Sequence, residues 1–168
     1  MNHADLKTLL DYHYWARDRM LAAVETLTPE QYTKDLGNSF KSVRDTVVHI
    51  YFAECAWLAR WKAEPPQQSL DPRNFPDVAM IRRAWTEHEG KMRSLLDGLG
   101  EHDVDRVYAY KNLAGQDFKS IFWHMFQHVV NHATYHRGQI TTMMRQLGAN
   151  PGKPQDLIAF YRELSSAT

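Results

Sequence analysis

The sequence predicts an all-α protein, a four-helix bundle with a short terminal helix and a small hairpin or ordered loop before the fourth long helix. Three observations predict it. Four long segments repeat their apolar residues every three or four positions, the period of an amphipathic helix. Capping and stop signals stand at the ends of those segments. The chain has 168 residues, 43% of them hydrophobic, which suffices for one core and is short for two ordinary domains, so residues 1–168 are expected to form a single domain.

The first helix is expected from Ala4 to about Leu27, with Leu6, Leu9, Leu10, Trp15, Leu21 and Val24 on its apolar stripe. Thr28-Pro29-Glu30-Gln31 then joins an N-cap residue to Pro at N1 and Gln at N3, so a short helical turn follows and Gly37-Asn38 ends it. Ser42-Val43-Arg44-Asp45 opens a second long helix that runs to about Ala63, where Pro65-Pro66 stops it. Residues 64–76 contain four prolines and read as a surface connection long enough to cross the end of a bundle. The third long helix spans about Asp77 to Leu99 and is ended by Gly98 or Gly100. Val107-Tyr108-Ala109-Tyr110 followed by the turn-prone Asn112 to Gln116 supplies the hairpin or loop. Ser120 reads as the cap of the fourth long helix, which reaches Leu147 and stops at Gly148, with a terminal helix from about Gln155 to Leu164.

Composition removes several classes of function. Twenty basic and twenty acidic residues cancel and no Lys/Arg-rich run occurs, so a nucleic-acid partner is not expected. No stretch approaches the roughly 18 apolar residues that a membrane helix needs. One cysteine, Cys55, permits no internal disulfide, and the N-terminus lacks a basic segment followed by an apolar one, so a cytoplasmic location is expected.

Nine histidines make histidine placement the central question. His124, His128, His132 and His136 follow one another at four-residue steps, so each neighbouring pair shares a face, about 6 Å apart along the axis. The steps drift by about 40° each, which carries His124 roughly 120° away from His136. A single such histidine is ordinarily a hydrogen-bonded core residue; four in register favour a metal site, with His128/His132 or His132/His136 as the chelating pair. A third ligand must come from a neighbouring helix. His49, in the apolar run Val47-Val48-His49-Ile50, is the candidate, because an unpartnered imidazole is costly to bury there. His3, His13, His88 and His102 are expected near helix ends or surface faces.

Residues 118–155 contain no Asp or Glu, and neither Glu-x-x-His nor His-Glu-x-x-His occurs, which removes the di-iron carboxylate and common metalloprotease readings. Three neutral imidazoles suit one Zn²⁺, Ni²⁺ or Fe²⁺ per chain with a position open to water or substrate. Protonation near the ordinary imidazole pKa, about 6.5, would compete with the ion.

The run His128-Val129-Val130-Asn131-His132-Ala133-Thr134-Tyr135-His136-Arg137-Gly138-Gln139 resembles the helix-four signature of the DinB/YfiT-like family. Val48-His49-Ile50, Tyr14-Trp15-Ala16-Arg17-Asp18-Arg19 and Pro154-Gln155-Asp156-Leu157-Ile158 are similar to further family motifs. The resemblance covers nearly the whole chain. It implies an up-down-down-up bundle, His49, His132 and His136 as metal ligands, and, in some members, thiol-dependent transfer to a small molecule. The family's name reflects induction by DNA damage, a stress response, and not DNA binding. A homodimer is compatible with the resemblance and with the aromatic-rich helices.

The resemblance leaves three functions open: S-transfer from a low-molecular-weight thiol to a small electrophile, hydrolysis by metal-bound hydroxide, and a non-catalytic metal-binding role. His128, one turn before the pair, reads equally as a residue that contacts substrate or metal-bound water and as an ordinary buried histidine. Arg137 and Gln139 flank His136 and could anchor an anionic substrate, yet each reads as pointing away from the ligand face by about 100° or more, so packing and surface pairing are the favoured roles. Gly138 is expected at a close helix contact, and Cys55 is expected to be a passive buried thiol facing away from the metal.

Overall fold

A computed structural model of the chain describes residues 1–65, 68–112 and 114–166. Its elements are α1 (His3–Val24), α2 (Pro29–Thr33), α3 (Val43–Trp61), α4 (Val78–Asp97), β1 (Val107–Lys111), β2 (Asp117–Ile121), α5 (Phe122–Gln146) and α6 (Leu157–Ser166), with single 3₁₀ turns at Pro72–Asn74 and Glu101–Asp103. The four long helices expected from periodicity are α1, α3, α4 and α5.

Local signals set most of the boundaries. Asn2 accepts from the Asp5 backbone N–H while the Asp5 side chain accepts in return, a capping box that starts α1. Thr28 and Gln31 do the same for α2. Ser42 and Asp77 cap α3 and α4 by accepting from Asp45 and Met80 backbone N–H groups. Helix α5 ends before Gly148, whose φ of +70° favours glycine.

One expected cap fails. Ser120 lies within β2, and the residue before α5 is Ile121, which makes no side-chain cap. The first backbone donors of α5 go instead to the preceding chain: Phe122 N–H to Arg106 O at 2.9 Å and Trp123 N–H to Val104 O at 3.2 Å. Strand β2 therefore runs into the helix without a connecting residue. The hairpin itself forms, antiparallel, with Val107 opposite Ile121 and Lys111 opposite Asp117. Two further sequence readings fall on Pro66 and Leu113, which lie outside the described residues.

Side-chain contacts give the helix directions. Lys7–Asp97, Asp11–Arg93 and Arg17–Glu89, each at 2.7 Å, make α1 and α4 antiparallel. Tyr51 reaches Ala84 and Cys55 reaches His88, so α3 and α4 are parallel. Thr46 meets Met143 near one end of the α3–α5 pair and Trp61 meets Phe122 at the other, an antiparallel arrangement. Tyr12 bonds Arg137, and Gln31, just past α1, bonds the Leu147 carbonyl at the end of α5, so α1 and α5 run together. The bundle is up-down-down-up, and because α3 and α4 are parallel, the chain that leaves α3 at Trp61 must return to the opposite end to enter α4 at Val78, rather than cross one end as the sequence suggested.

The core contains Trp85, Phe122, Phe126, Leu6, Leu10 and Ile81, each nearly free of solvent. Burial of a side chain of this size stabilises by roughly 1.5–3 kcal/mol. Gly138 does not sit at a tight helix crossing: a Cβ there would meet nothing within 4 Å. The close approach is at Gly152 instead, where a Cβ would lie 2.8 Å from that of Ala23. Among the described residues no helix is long and apolar enough to cross a membrane.

Candidate metal centre

The adjacent, antiparallel α3 and α5 bring His49, His132 and His136 together. His132 Nε2 lies 3.2 Å from His49 Nε2 and 3.1 Å from His136 Nε2, and the three donor atoms all fall within 4.8 Å of one another. Ligands about 2.0–2.1 Å from a tetrahedral Zn²⁺ are separated by about 3.3 Å, so the donor set fits such an ion. No carboxylate or cysteine joins these three among the described residues, which leaves coordination positions for other ligands.

The protonation state suits ligation. Burial, with the neighbouring His136, lowers the His49 pKa to about 4. Burial and the imidazoles of His136, His49 and His128 lower that of His132 to about 4. Both rings are therefore neutral at pH 7, and neutral imidazole is the coordinating form. His136 is buried and its Nδ1 donates to Gln139 Oε1 at 2.7 Å, which keeps the proton on Nδ1 and turns the Nε2 lone pair toward the other two rings. Phe40, in the connection before α3, stacks on His49 with ring centroids 3.9 Å apart and meets His136 edge-on at 5.4 Å. A cleft of about 470 Å³, lined by Phe40, Val48, His49, Phe52 and Leu70, opens beside these rings.

The remaining histidines separate cleanly. His128 is exposed, with its ring 5.7 Å from His132 and 5.4 Å from Trp57, and it stands outside the donor cluster. His124 is exposed and packs on Trp123. The α5 histidines that converge with His49 are thus His132 and His136.

His13 and His88, expected near helix ends or the surface, are buried. They flank Glu54, a carboxylate at the bundle's centre that accepts from His13 Nε2 at 2.8 Å, Tyr14 OH at 2.5 Å and Trp85 Nε1 at 2.8 Å, with His88 Nε2 at 3.6 Å. Burial by itself would raise the Glu54 pKa, but His13, His88 and the Tyr14 hydroxyl outweigh it and hold the carboxyl below its ordinary value. Cys55 turns toward His88, away from the three imidazoles, and burial pushes its thiol up to about 12. Its burial and its orientation are as expected.

Gln139 corrects the sequence reading. It lies two turns beyond His132, within about 20° of it around an ideal helix, which places it on the ligand face. Arg137 does point away: its Nη2 donates to Tyr12 OH and Thr134 Oγ1.

The DinB family model matches residues 1–160. Over 150 residues the chain is 25% identical to Protein DinB of Bacillus subtilis, a match covering 83% of this chain and 84% of that protein. Two crystal structures of DinB-like proteins share the fold, each with a TM-score of 0.62 and 16% identity. The one from Bacillus cereus aligns over 87% of this chain and 95% of its own, and the one from Bacillus subtilis over 88% and 97%.

Proposed function

The chain belongs to the DinB family, and from that premise we propose that His49, His132 and His136 hold one divalent ion, Zn²⁺, Ni²⁺ or Fe²⁺, in a thiol S-transferase acting on small electrophiles. The observation that carries the reading is the convergence of three Nε2 atoms around a point with no fourth protein ligand among the described residues. Structural metal sites are closed by four protein ligands, whereas catalytic sites keep a vacancy. A divalent ion bound there would lower the pKa of an incoming thiol, so that the reactive thiolate forms at neutral pH.

The chain's own residues then have limited tasks. The three imidazoles bind, Gln139 fixes the His136 proton on Nδ1, and Phe40 shields the His49 ring from water. The apolar wall of Phe40, Val48 and Phe52 suits the carbon skeleton of an electrophile. His128, exposed one turn before His132, would hydrogen-bond substrate at the edge of the site, a role its ring 5.7 Å from that of His132 supports. In the net reaction a sulfur–carbon bond forms, the leaving group departs with its electron pair, and the thiol proton passes to solvent. Cys55 has no part in this, because its thiol is protonated and turned away.

The test incubates metal-loaded protein with a panel of biological thiols and a halogenated aromatic, beside chelated protein and His136→Ala. Turnover that needs both metal and thiol, with Cys55→Ser fully active, is the expected result. If no thiol supports turnover and added thiol leaves the Co²⁺-substituted spectrum unchanged, the proposal fails.

A further inference from the structure

We propose that the protein has a second, separate site for a small oxyanion, a carboxylate or phosphate group, in the groove between α5 and residues 151–157. The groove has a volume of about 590 Å³ and is lined by Tyr12, Thr134, Arg137, Arg145, Lys153 and Asp156, among others. It lies on a different side of α5 from the imidazoles, since Arg137 follows His136 at about 100° around the helix.

The argument begins with Arg137. Its side chain is 3% exposed, yet no acid pairs with it among the described residues. Nη2 donates to Tyr12 OH at 3.1 Å and Thr134 Oγ1 at 2.8 Å, while Nε and Nη1 have no hydrogen-bond partner among the described residues. A guanidinium cannot shed its proton at neutral pH, and a buried charge without a counter-charge or full hydrogen bonding is costly. The usual resolution is an acid in contact, and no acid among the described residues supplies it.

The surroundings point to an external one. Arg145 and Lys153, both exposed on the lining of the same groove, also lack ion-pair partners among the described residues. Three unpaired cations thus line one groove of a chain whose formal net charge is zero. Asp156 is the one carboxylate of the lining and offsets only part of that charge. The Gln155 amide also lines the groove with its Oε1 buried and unpartnered, and rotation would present its Nε2 donor instead. Exposed Arg145 and Lys153 attract an anion and the buried fork of Arg137 holds it, a geometry that matches the oxygens of carboxylate and phosphate.

The experiment titrates the full chain with inorganic phosphate and, separately, with malonate by calorimetry at fixed ionic strength in chloride, both as purified and after chelation. Saturable binding of one anion per chain that survives chelation is expected, and the tighter of the two probes identifies the oxyanion class. The double variant Arg145→Ala/Lys153→Ala should weaken that binding about tenfold or more, the order expected when charge-assisted contacts are lost, with its circular dichroism unchanged. Because this variant leaves the buried Arg137 in place, its result does not depend on whether Arg137 variants fold. Binding of neither probe, equal binding by the double variant, or loss of binding on chelation would each overturn the proposal.

Discussion

At the scale of single residues, the hydrogen bond from His136 to Gln139 connects a packing detail to the chemistry of the site. The alanine variants of His49, His132 and His136 should each abolish tight binding of one divalent ion, whereas His124→Ala should leave it intact, because only the first three supply converging nitrogens. Gln139→Leu should weaken affinity by about 10–100-fold, the range for an outer partner that orients a ligand. Competition against a chromophoric chelator measures all five, and a Gln139→Leu variant as tight as the parent would deny that residue its role. The four-residue steps narrowed the α5 ligands to two alternative pairs; what separates them is the rotation of α5 against α3, a tertiary quantity that spacing does not carry. The titration range was also beyond reach of the sequence. Composition suggests ordinary imidazoles near about 6.5, but burial of His49 and His132 among other imidazoles moves both to about 4.

At the scale of elements, the caps separate what local sequence decides from what tertiary structure decides. Ser42 and Asp77 accept from the backbone N–H three residues on, so Ser42→Ala and Asp77→Ala should each cost about 0.5–2 kcal/mol. Ser120→Ala should cost less than about 0.5 kcal/mol, as for an ordinary partly exposed position, because Ile121 occupies the cap position and the donors of α5 are met by Arg106 and Val104 carbonyls. Urea denaturation of the three variants checks this, and a Ser120→Ala loss equal to the other two would restore the serine as a cap. A serine ahead of a helical run looks alike in both settings. Whether it is claimed by a strand depends on pairing with residues about a dozen positions earlier, Tyr108 in this case. The helices themselves were legible because their apolar period is strong and their ends carry Asn, Thr, Ser and Asp caps.

At the scale of the molecule, Glu54 ties α1, α3 and α4 together through His13, Tyr14, Trp85 and His88. This cluster is not legible in the sequence, because the diagonal pairing of α1 and α3 follows from the up-down-down-up arrangement and the residues concerned are far apart in the chain. Glu54→Leu should destabilise by roughly 3–5 kcal/mol, as expected when one partner of a buried ionic cluster is removed. The pH dependence follows from two groups with the same sign. Glu54 has a folded pKa below its unfolded value, so its contribution is present above about pH 4.5 and lost below. His49 and His132 titrate at about 4 when folded, so between about 6.5 and 4 the unfolded chain takes up protons that the folded one refuses. The melting temperature of metal-free protein should therefore fall from about pH 6.5 to pH 4 and go on falling below about pH 4.5; a flat profile over the first range would contradict the histidine assignment, and one over the second the Glu54 assignment. The helix order also governs assembly in time. Helix α1 packs against α4 and α5, and His49 must wait for a partner 83 residues further along the chain. During synthesis, which proceeds from the N-terminus, the α3 face bearing Thr46 and Trp61 stays uncovered until residues 122–146 emerge. Any ion held by the three imidazoles is therefore acquired after the last long helix docks, and metal uptake during refolding would time the completion of the bundle.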